Sequence, residues 1–350
     1  MNKVSVIAIT KNGIKIGIKL KEVFPSWEIC APEKFKNTSE NISWYSKSTT
    51  EKMAELFKNN EAIICLFSLG AVIRLISPYL EDKKTDPAVI VIDDKMNFVI
   101  SVLSGHIGGA NELTKKIAEK LNAIPVITTA ADVNKTIAVD LVGRELNWKI
   151  DDDSTVTQVS ACMINEEIIG VFQNAGSKKW YKELPKNVKI FNDLKELEKS
   201  DSKAFLIISD EEFDGDFIKK SVIYRPPSLV VGIGLHWDTT KDTIKEGIDH
   251  TMKKFKLNQK SIAKLVSIKK PQEIKGLVDI GKEMNVPVEY LDRNELASVP
   301  APNPSDTVKA FEGTSSVSEA AAIKASGGKL IVEKQKFPPN LTIAIARKLD

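Results

Sequence analysis

One short segment of the sequence combines a titratable side chain with several glycines. The segment Ser104-Gly-His-Ile-Gly-Gly-Ala-Asn111 follows the apolar run at residues 98–103 and contains His106, one of three histidines. Histidine changes protonation near neutral pH, so it can serve as an acid, a base or a hydrogen-bond donor. Glycines let the backbone approach a ligand and adopt positive φ. We predict that His106 is a catalytic base and that its turn contacts substrate through Ser104, Gly105, Gly108, Gly109 and Asn111.

The residues after the turn have the pattern of an amphipathic helix. Leu113, Ile117 and Leu121 recur every four residues, with charged residues between them. The unpaired N–H groups at a helix start favour an anionic ligand. The glycine spacing matches neither the dinucleotide fingerprint nor a Walker loop, which argues against a nucleotide. The alternative is a tight strand-to-helix connection with His106 as an ordinary surface residue.

Several acidic residues are further candidates. Asp93 and Asp94 end the predicted strand at residues 88–92. If that strand runs parallel to the next one, both carboxylates face the same cleft as His106, and Asp93 is the second candidate base. The alternative is an ordinary hairpin turn at residues 93–97. Asp86, before the strand, is assigned to substrate binding, although Asp86-Pro87 is also typical of a loop.

Cationic and hydroxyl side chains complete the predicted site. Arginine and lysine bind carboxylates, and the alternative for these residues is surface charge. Arg74 and Lys84, with neighbouring Lys83, are assigned to substrate binding on the polyanionic substrate that a family resemblance implies. Thr128 and Thr129 follow a predicted strand and either bind a carboxylate or cap the next helix. Asp132 and Asp140 are expected in the pocket wall.

The alternation of apolar strands and helical segments predicts an α/β protein of several domains. Strand signals at residues 4–9, 28–30, 62–67, 88–92, 98–101 and 124–127 predict a mainly parallel sheet. We predict an N-terminal α/β domain at 1–131, a small variable middle domain at 132–225 and a C-terminal α/β domain at 226–350. The middle domain is expected to include a helix near 136–148, and residues 225–228 are expected to form a linker.

The composition is that of an ordinary globular protein. The chain has 350 residues, of which 42% are hydrophobic and 28% charged, with a net charge of +3. Neither disorder nor a nucleic-acid partner is indicated. Three widely separated cysteines form no C-x-x-C pair, so we expect no metal site and a reducing cytoplasm. No apolar run is long enough to span a membrane, and no secretory signal is recognised.

In their order along the chain, several motifs resemble the cobalt-precorrin-5A hydrolase family of the oxygen-independent cobalamin pathway. The motifs are the segments at 68–78, 82–94, 101–114, 125–132, 231–234, 267–273 and 313–322. The resemblance implies opening of the δ-lactone of a ring-contracted cobalt-tetrapyrrole and release of acetaldehyde to give cobalt-precorrin-5B. It also implies a polyanionic substrate that itself carries the cobalt, with no other cofactor. Two alternatives are a non-catalytic corrinoid carrier and a tetrapyrrole methyltransferase.

The resemblance extends to the C-terminal region. Gly232, Gly234, Lys270 and Glu319 match family motifs and are assigned to substrate binding. Where the family usually has a cysteine and a basic residue after Gly-Ile-Gly, this chain has Leu235, His236 and Trp237. We therefore expect a glycine turn that binds through backbone N–H groups, with His236 either replacing the basic residue or serving a structural role. A homodimer and transient contacts with other enzymes of the pathway are left open as partners.

Overall fold

The protein folds into α/β layers built on three sheets. The structure, a computed structural model, describes residues 3–36, 41–134 and 136–349. The chain divides into two compact units, residues 1–141 and 142–350. The first contains a seven-stranded sheet and the second contains two five-stranded sheets. The multidomain α/β architecture predicted from sequence is confirmed.

The first unit is a sheet of order β3-β2-β1-β4-β5-β6-β7 with helices between its strands. Its three central strands are buried along their whole length, which explains their unbroken apolar sequences. The elements are β1 (Val4–Ala8), α1 (Lys11–Val23), β2 (Glu28–Pro32), β3 (Ser43–Tyr45), α2 (Thr49–Asn59), β4 (Ala62–Leu66), α3 (Leu69–Ile76), β5 (Ala88–Ile92), β6 (Phe98–Leu103), α4 (Ala110–Leu121), β7 (Ile124–Val126) and α5 (Ala130–Val133).

One strand pair of this sheet is antiparallel. β5 and β6 pair antiparallel, with Ile92 opposite Val99, whereas the other pairs are parallel. The connection at residues 93–97 is a hairpin, too short for the crossover that a parallel pair needs. The Asp93 carboxylate closes this hairpin by accepting hydrogen bonds from the N–H groups of Phe98 (2.6 Å) and Lys95 (3.2 Å). The carboxyl ends of β6 and β7 therefore lie at the opposite sheet edge from those of β1, β4 and β5.

The second unit contains sheets of order β10-β9-β11-β12-β8 and β15-β14-β13-β17-β16. The first sheet uses β8 (Lys149–Ile150), α6 (Val156–Ile164), β9 (Ile169–Gln173), β10 (Val188–Phe191), α7 (Leu194–Glu198), β11 (Ala204–Ile208) and β12 (Ser221–Arg225). The second uses β13 (Leu229–Leu235), α8 (Lys241–Lys254), β14 (Ile262–Ile268), α9 (Lys275–Met284), β15 (Val288–Leu291), α10 (Arg293–Ala297), α11 (Asp306–Glu312), α12 (Val317–Ser326), β16 (Lys329–Phe337) and β17 (Leu341–Arg347).

Two predictions for the middle region are wrong. In place of a helix near 136–148, the described residues form short 3-10 turns at Val139–Leu141 and Arg144–Leu146. Arg225 is no linker residue, because it ends β12 and is buried. Its guanidinium donates to the Asp151 carboxylate at 2.6 Å. A charge buried to this extent needs such a partner.

The glycines of the C-terminal motif lie inside a strand and form no turn. β13 continues to Leu235 and pairs with β14 on one side and β17 on the other. Helix α12 packs closely on it, so that a Cβ at Gly232 would overlap the Ser318 carbonyl oxygen. A Cβ at Gly234 would overlap the Thr342 hydroxyl. The expected binding turn is therefore absent at these positions: Gly232 makes room for α12, and Gly234 makes room for the Thr342 side chain of β17.

This packing predicts that Gly232→Ala lowers the free energy of unfolding by about 3 kcal/mol, because overfilled cores strain their surroundings. Chemical denaturation followed by circular dichroism measures the loss. Gly70→Ala is the control: its new Cβ meets only the Arg74 side chain at 3.4 Å, and alanine favours a helix. Equal stability of the Gly232 variant and the wild type would contradict the packing role.

Candidate active site

The turn between β6 and α4 is shaped by its own packing. Positive φ occurs at Ser104 (56°) and Gly109 (78°), whereas Gly105 and Gly108 have no positive φ. A Cβ at Gly105 would lie 2.7 Å from Asn111 Oδ1, and a Cβ at Gly108 would overlap the Ser104 side chain. The glycines are thus needed for turn closure, and the expected positive φ is found only at Gly109 among them.

His106 lies between two carboxylates. Its Nε2 is 3.2 Å from Asp132 Oδ2, and its Nδ1 is 3.3 Å from Asp140 Oδ1. Asp132 belongs to α5, and Asp140 to the 3-10 turn that follows. The imidazole is 18% exposed. A neutral ring would present one bare nitrogen to a carboxylate, whereas an imidazolium donates to both.

The electrostatics of these three side chains favour the ionised forms. The hydrogen bond with Asp140 raises the pKa of His106 above its ordinary value, which outweighs burial, and Asp132 adds to the rise. Burial alone would raise the pKa values of Asp132 and Asp140, but their hydrogen bonds leave both pKa values lowered. An imidazolium between two carboxylates is the resulting charge state.

Asp132 is fixed by further donors. Lys115 Nζ is 2.8 Å from Asp132 Oδ1, and Asn111 Nδ2 is 2.8 Å from Asp132 Oδ2. The same Asn111 amide donates to Thr129 Oγ1 at 2.9 Å and accepts from Ser101 Oγ at 2.7 Å. The carboxylate on the Nε2 side of His106 therefore has a defined orientation.

The backbone of the turn offers donors to a ligand. The N–H groups of Gly109 and Asn111 are bonded to the His106 and Gly105 carbonyls. Within the described part of the chain, the N–H groups of Gly105, Ile107 and Gly108 have no protein acceptor. Ile107 and Gly108 are consecutive, and consecutive N–H groups of this kind can bind an anion.

The loop before β5 lies beside the turn. Ser104 Oγ donates to the Asp86 carbonyl oxygen at 2.8 Å. The Asp86 carboxylate accepts from the N–H groups of Glu81 (3.1 Å) and Asp82 (3.4 Å), so it organises the loop. After burial and His106, the positive charge of Lys83 is a further influence on the pKa of Asp140 and lowers it. Lys83 of this loop is thus a cation on the Asp140 side of His106.

Comparisons with known proteins show which family the chain belongs to. The model "Cobalamin synthesis G N-terminal" matches residues 51–132, "Cobalamin biosynthesis central region" matches 137–226, and "Cobalamin synthesis G C-terminus" matches 229–346. A cobalt-precorrin-5A hydrolase of Priestia megaterium is 38% identical over 98% of this chain and 94% of its own length. The chain belongs to the cobalt-precorrin-5A hydrolase family.

A second relative agrees with this family. A cobalt-precorrin-5A hydrolase of Salmonella typhimurium is 27% identical over 94% of this chain and 93% of its own length. A crystal structure of a cobalamin biosynthesis protein G homolog from Sulfolobus solfataricus is 23% identical and covers 99% of this chain and 98% of its own, with a TM-score of 0.39. Among the described residues, no helix has the length and apolar character needed to cross a bilayer.

Some residues predicted for this family's site lie elsewhere. Asp93 is at the opposite sheet edge from His106, because the parallel pairing on which its assignment depended is replaced by a hairpin. Arg74 is exposed on α3, where its Nη1 donates to the Gly70 carbonyl at 3.0 Å. Thr128 and Lys84 lie at the same edge as His106: Thr128 is exposed next to Thr129, and the Lys84 N–H donates to the Asp82 carboxylate at 2.8 Å in the loop beside Ser104.

The C-terminal candidates are held by neighbours within their own unit. Lys270 pairs with Glu312 at 3.2 Å. Glu319 is fully buried and accepts from Asn303 Nδ2 at 2.7 Å and the Lys334 N–H at 3.1 Å. His236 pairs with Asp238 at 2.6 Å. Glu319 therefore anchors the loop of Asn303 to β16.

Sequence reasoning did not assign the direct carboxylate partners of His106. Asp132 and Asp140 were expected in the pocket wall, and Lys115 was read as helix surface. The available signal was chain direction: β7 runs parallel to β6, so the residues after both strands meet at one sheet edge.

The contacts of His106 with Asp132 and Asp140 predict that the stability of the fold depends on pH. A raised pKa in the folded state means that protonated His106 stabilises the fold fully below its unfolded pKa of about 6.5. This contribution is lost as pH rises through the higher folded pKa. We expect the stability difference between wild type and His106→Gln to shrink as pH rises above about 6.5. Asp140→Asn is expected to remove most of this pH dependence. A stability difference that does not change with pH would contradict the contacts of His106 with the two carboxylates.

Proposed function

We propose that the chain is a cobalt-precorrin-5A hydrolase that opens the δ-lactone of a ring-contracted cobalt-tetrapyrrole and releases acetaldehyde, giving cobalt-precorrin-5B. The observation that carries this proposal is His106 between Asp132 and Asp140, beside a turn with unpaired N–H groups. Lactone opening needs a proton donor for the departing oxygen and donors for the oxyanion. The full-length relatives named as cobalt-precorrin-5A hydrolases support the substrate.

The first step is addition of water to the lactone carbonyl. Asp140, which has fewer donors than Asp132, accepts a proton from the attacking water. The N–H groups of Gly105, Ile107 and Gly108 hold the oxyanion. When the tetrahedral intermediate collapses, the ring oxygen leaves and takes the proton of the His106 imidazolium. The products are a carboxylic acid and a free alcohol.

The second step breaks a carbon–carbon bond. His106 is now neutral and accepts the proton of the alcohol hydroxyl. The carbon–oxygen bond becomes a carbonyl, acetaldehyde leaves, and the electron pair of the broken bond passes into the macrocycle. His106 returns this proton to the macrocycle carbon and is neutral again. The proton that Asp140 took from the attacking water then passes to His106, which restores the imidazolium and the Asp140 carboxylate. The histidine is therefore an acid first and a base second, which refines the sequence prediction of a base alone.

The charges around the site suit a substrate with many carboxylates. Lys83 and Lys84 lie in the loop beside Ser104, and Lys115 lies on the Asp132 side. Lysine and arginine attract carboxylates over the surface before direct contact. We propose that Arg74 contributes to this long-range electrostatic attraction. We propose a cytoplasmic location, no nucleic-acid or membrane partner, and a homodimer or transient contacts with pathway enzymes as the remaining protein partners.

The mechanism predicts that His106→Gln lowers the rate of acetaldehyde release by about 100-fold or more, because glutamine can neither donate nor accept the transferred proton. Single-turnover assays with the lactone substrate measure this rate. Asp93→Asn is the matched control and should stay within about 2-fold of wild type, since it removes a carboxylate at the opposite edge.

The same assay separates the alternatives. Stoichiometric binding of the lactone by wild-type protein without acetaldehyde release would contradict the proposed hydrolase and favour a corrinoid carrier. A rate for Asp93→Asn that falls as far as that of His106→Gln would instead reject the assignment of the site.

We further propose that the cobalt of the substrate is the only metal required. The sequence has three scattered histidines and no cysteine pair to hold another ion. Exhaustive chelation of the protein before substrate is added should leave acetaldehyde release unchanged. Loss of the activity, with recovery on adding zinc, would contradict this proposal.

A further inference from the structure

Asn111 links four parts of the candidate site. It is 5% exposed and lies in the first turn of α4. Its amide nitrogen donates to Thr129 Oγ1 and Asp132 Oδ2, and its amide oxygen accepts from Ser101 Oγ. Gly105 packs against the same amide, which leaves no room for a Cβ.

These contacts engage the polar atoms of the Asn111 side chain within the protein. An amide has two N–H donors, and both have partners within the protein, while Ser101 occupies an acceptor position. Asp132 fixes which end of the amide faces it, because a flipped amide would place oxygen against the carboxylate. The sequence prediction that Asn111 binds substrate is therefore not the role that these contacts favour.

The shared acceptor is Asp132 Oδ2. It receives Asn111 Nδ2 at 2.8 Å and faces His106 Nε2 at 3.2 Å. Without the amide, this carboxylate retains Lys115, whose side chain is 57% exposed and therefore holds it only loosely. The buried amide is the rigid partner.

We propose that Asn111 is a positioning residue that holds the Asp132 carboxylate against Nε2 of His106 and so keeps the imidazole oriented and protonated for the first step. This inference rests on the proposed hydrolase activity. Asn111 acts through Asp132 and touches neither the lactone nor the departing oxygen.

The test is a double-mutant cycle between Asn111→Leu and Asp132→Ala. Asn111→Leu should lower kcat for acetaldehyde release by about 10-fold with an unchanged KM, because the substrate loses no contact. It should also lower the pKa of His106, measured by NMR titration of the imidazole. In the Asp132→Ala background, the same substitution should change kcat by less than about 2-fold.

Two further variants keep the result interpretable. Ser101→Ala should give a smaller loss of kcat in the same direction, since it removes only one hydrogen bond to the amide oxygen and leaves both amide donors in place. Asn12→Leu removes an amide that donates to the Asp94 carbonyl at the other sheet edge, and it should alter neither kcat nor the pKa of His106. Thermal unfolding of each variant identifies any that fails to fold.

The outcomes are distinct. A raised KM with unchanged kcat for Asn111→Leu would overturn the positioning role in favour of substrate contact. Equal losses of kcat in the presence and absence of Asp132 would overturn the route through Asp132. If wild type releases no acetaldehyde, the proposed activity fails, while the pKa of His106 in Asn111→Leu still tests the positioning role.

Discussion

The antiparallel pairing of β5 with β6 is the constraint on which the candidate site depends. The hairpin at residues 93–97 reverses the chain, so β6 and β7 end at the sheet edge where β5 begins. That edge gathers the turn of His106, the Asp86 loop and the helix of Asp132. With the parallel pairing expected from sequence, the turn would lie beside Asp93 instead. The direction of one strand thus decides which carboxylates face the histidine.

The charge balance at this edge follows from the same arrangement. Two carboxylates flank one partly buried imidazole, and Lys115 offsets the charge of Asp132. Desolvation opposes each ionised group, and hydrogen bonds among them reverse its effect. Such a site can store a proton on a ring nitrogen and release it to an oxygen that becomes basic during the reaction. The turn supplies N–H donors without adding charge.

The sequence alone predicted much of this and missed specific parts for physical reasons. Strand and helix periodicity located β6, the turn and α4, and His106 stood out because histidine is rare in the chain. Apolar sequences do not indicate the direction of a strand, so Asp93 was assigned to the same sheet edge as His106 although it lies at the opposite one. The short connection at 93–97 was the available clue.

Packing distances could not be predicted from the sequence either. Gly232 and Gly234 were predicted to form a binding turn, yet the approach of α12 to β13 explains Gly232 and the Thr342 side chain of β17 explains Gly234. Arg225 was expected in a linker because prolines follow it, but its ionic partner Asp151 is distant in sequence.

The central claim is that His106 is held as an imidazolium between Asp132 and Asp140. Nitrogen-15 NMR of the ring near pH 7 tests it most directly: the account predicts that both His106 nitrogens carry a proton, and a bare ring nitrogen at that pH would contradict it.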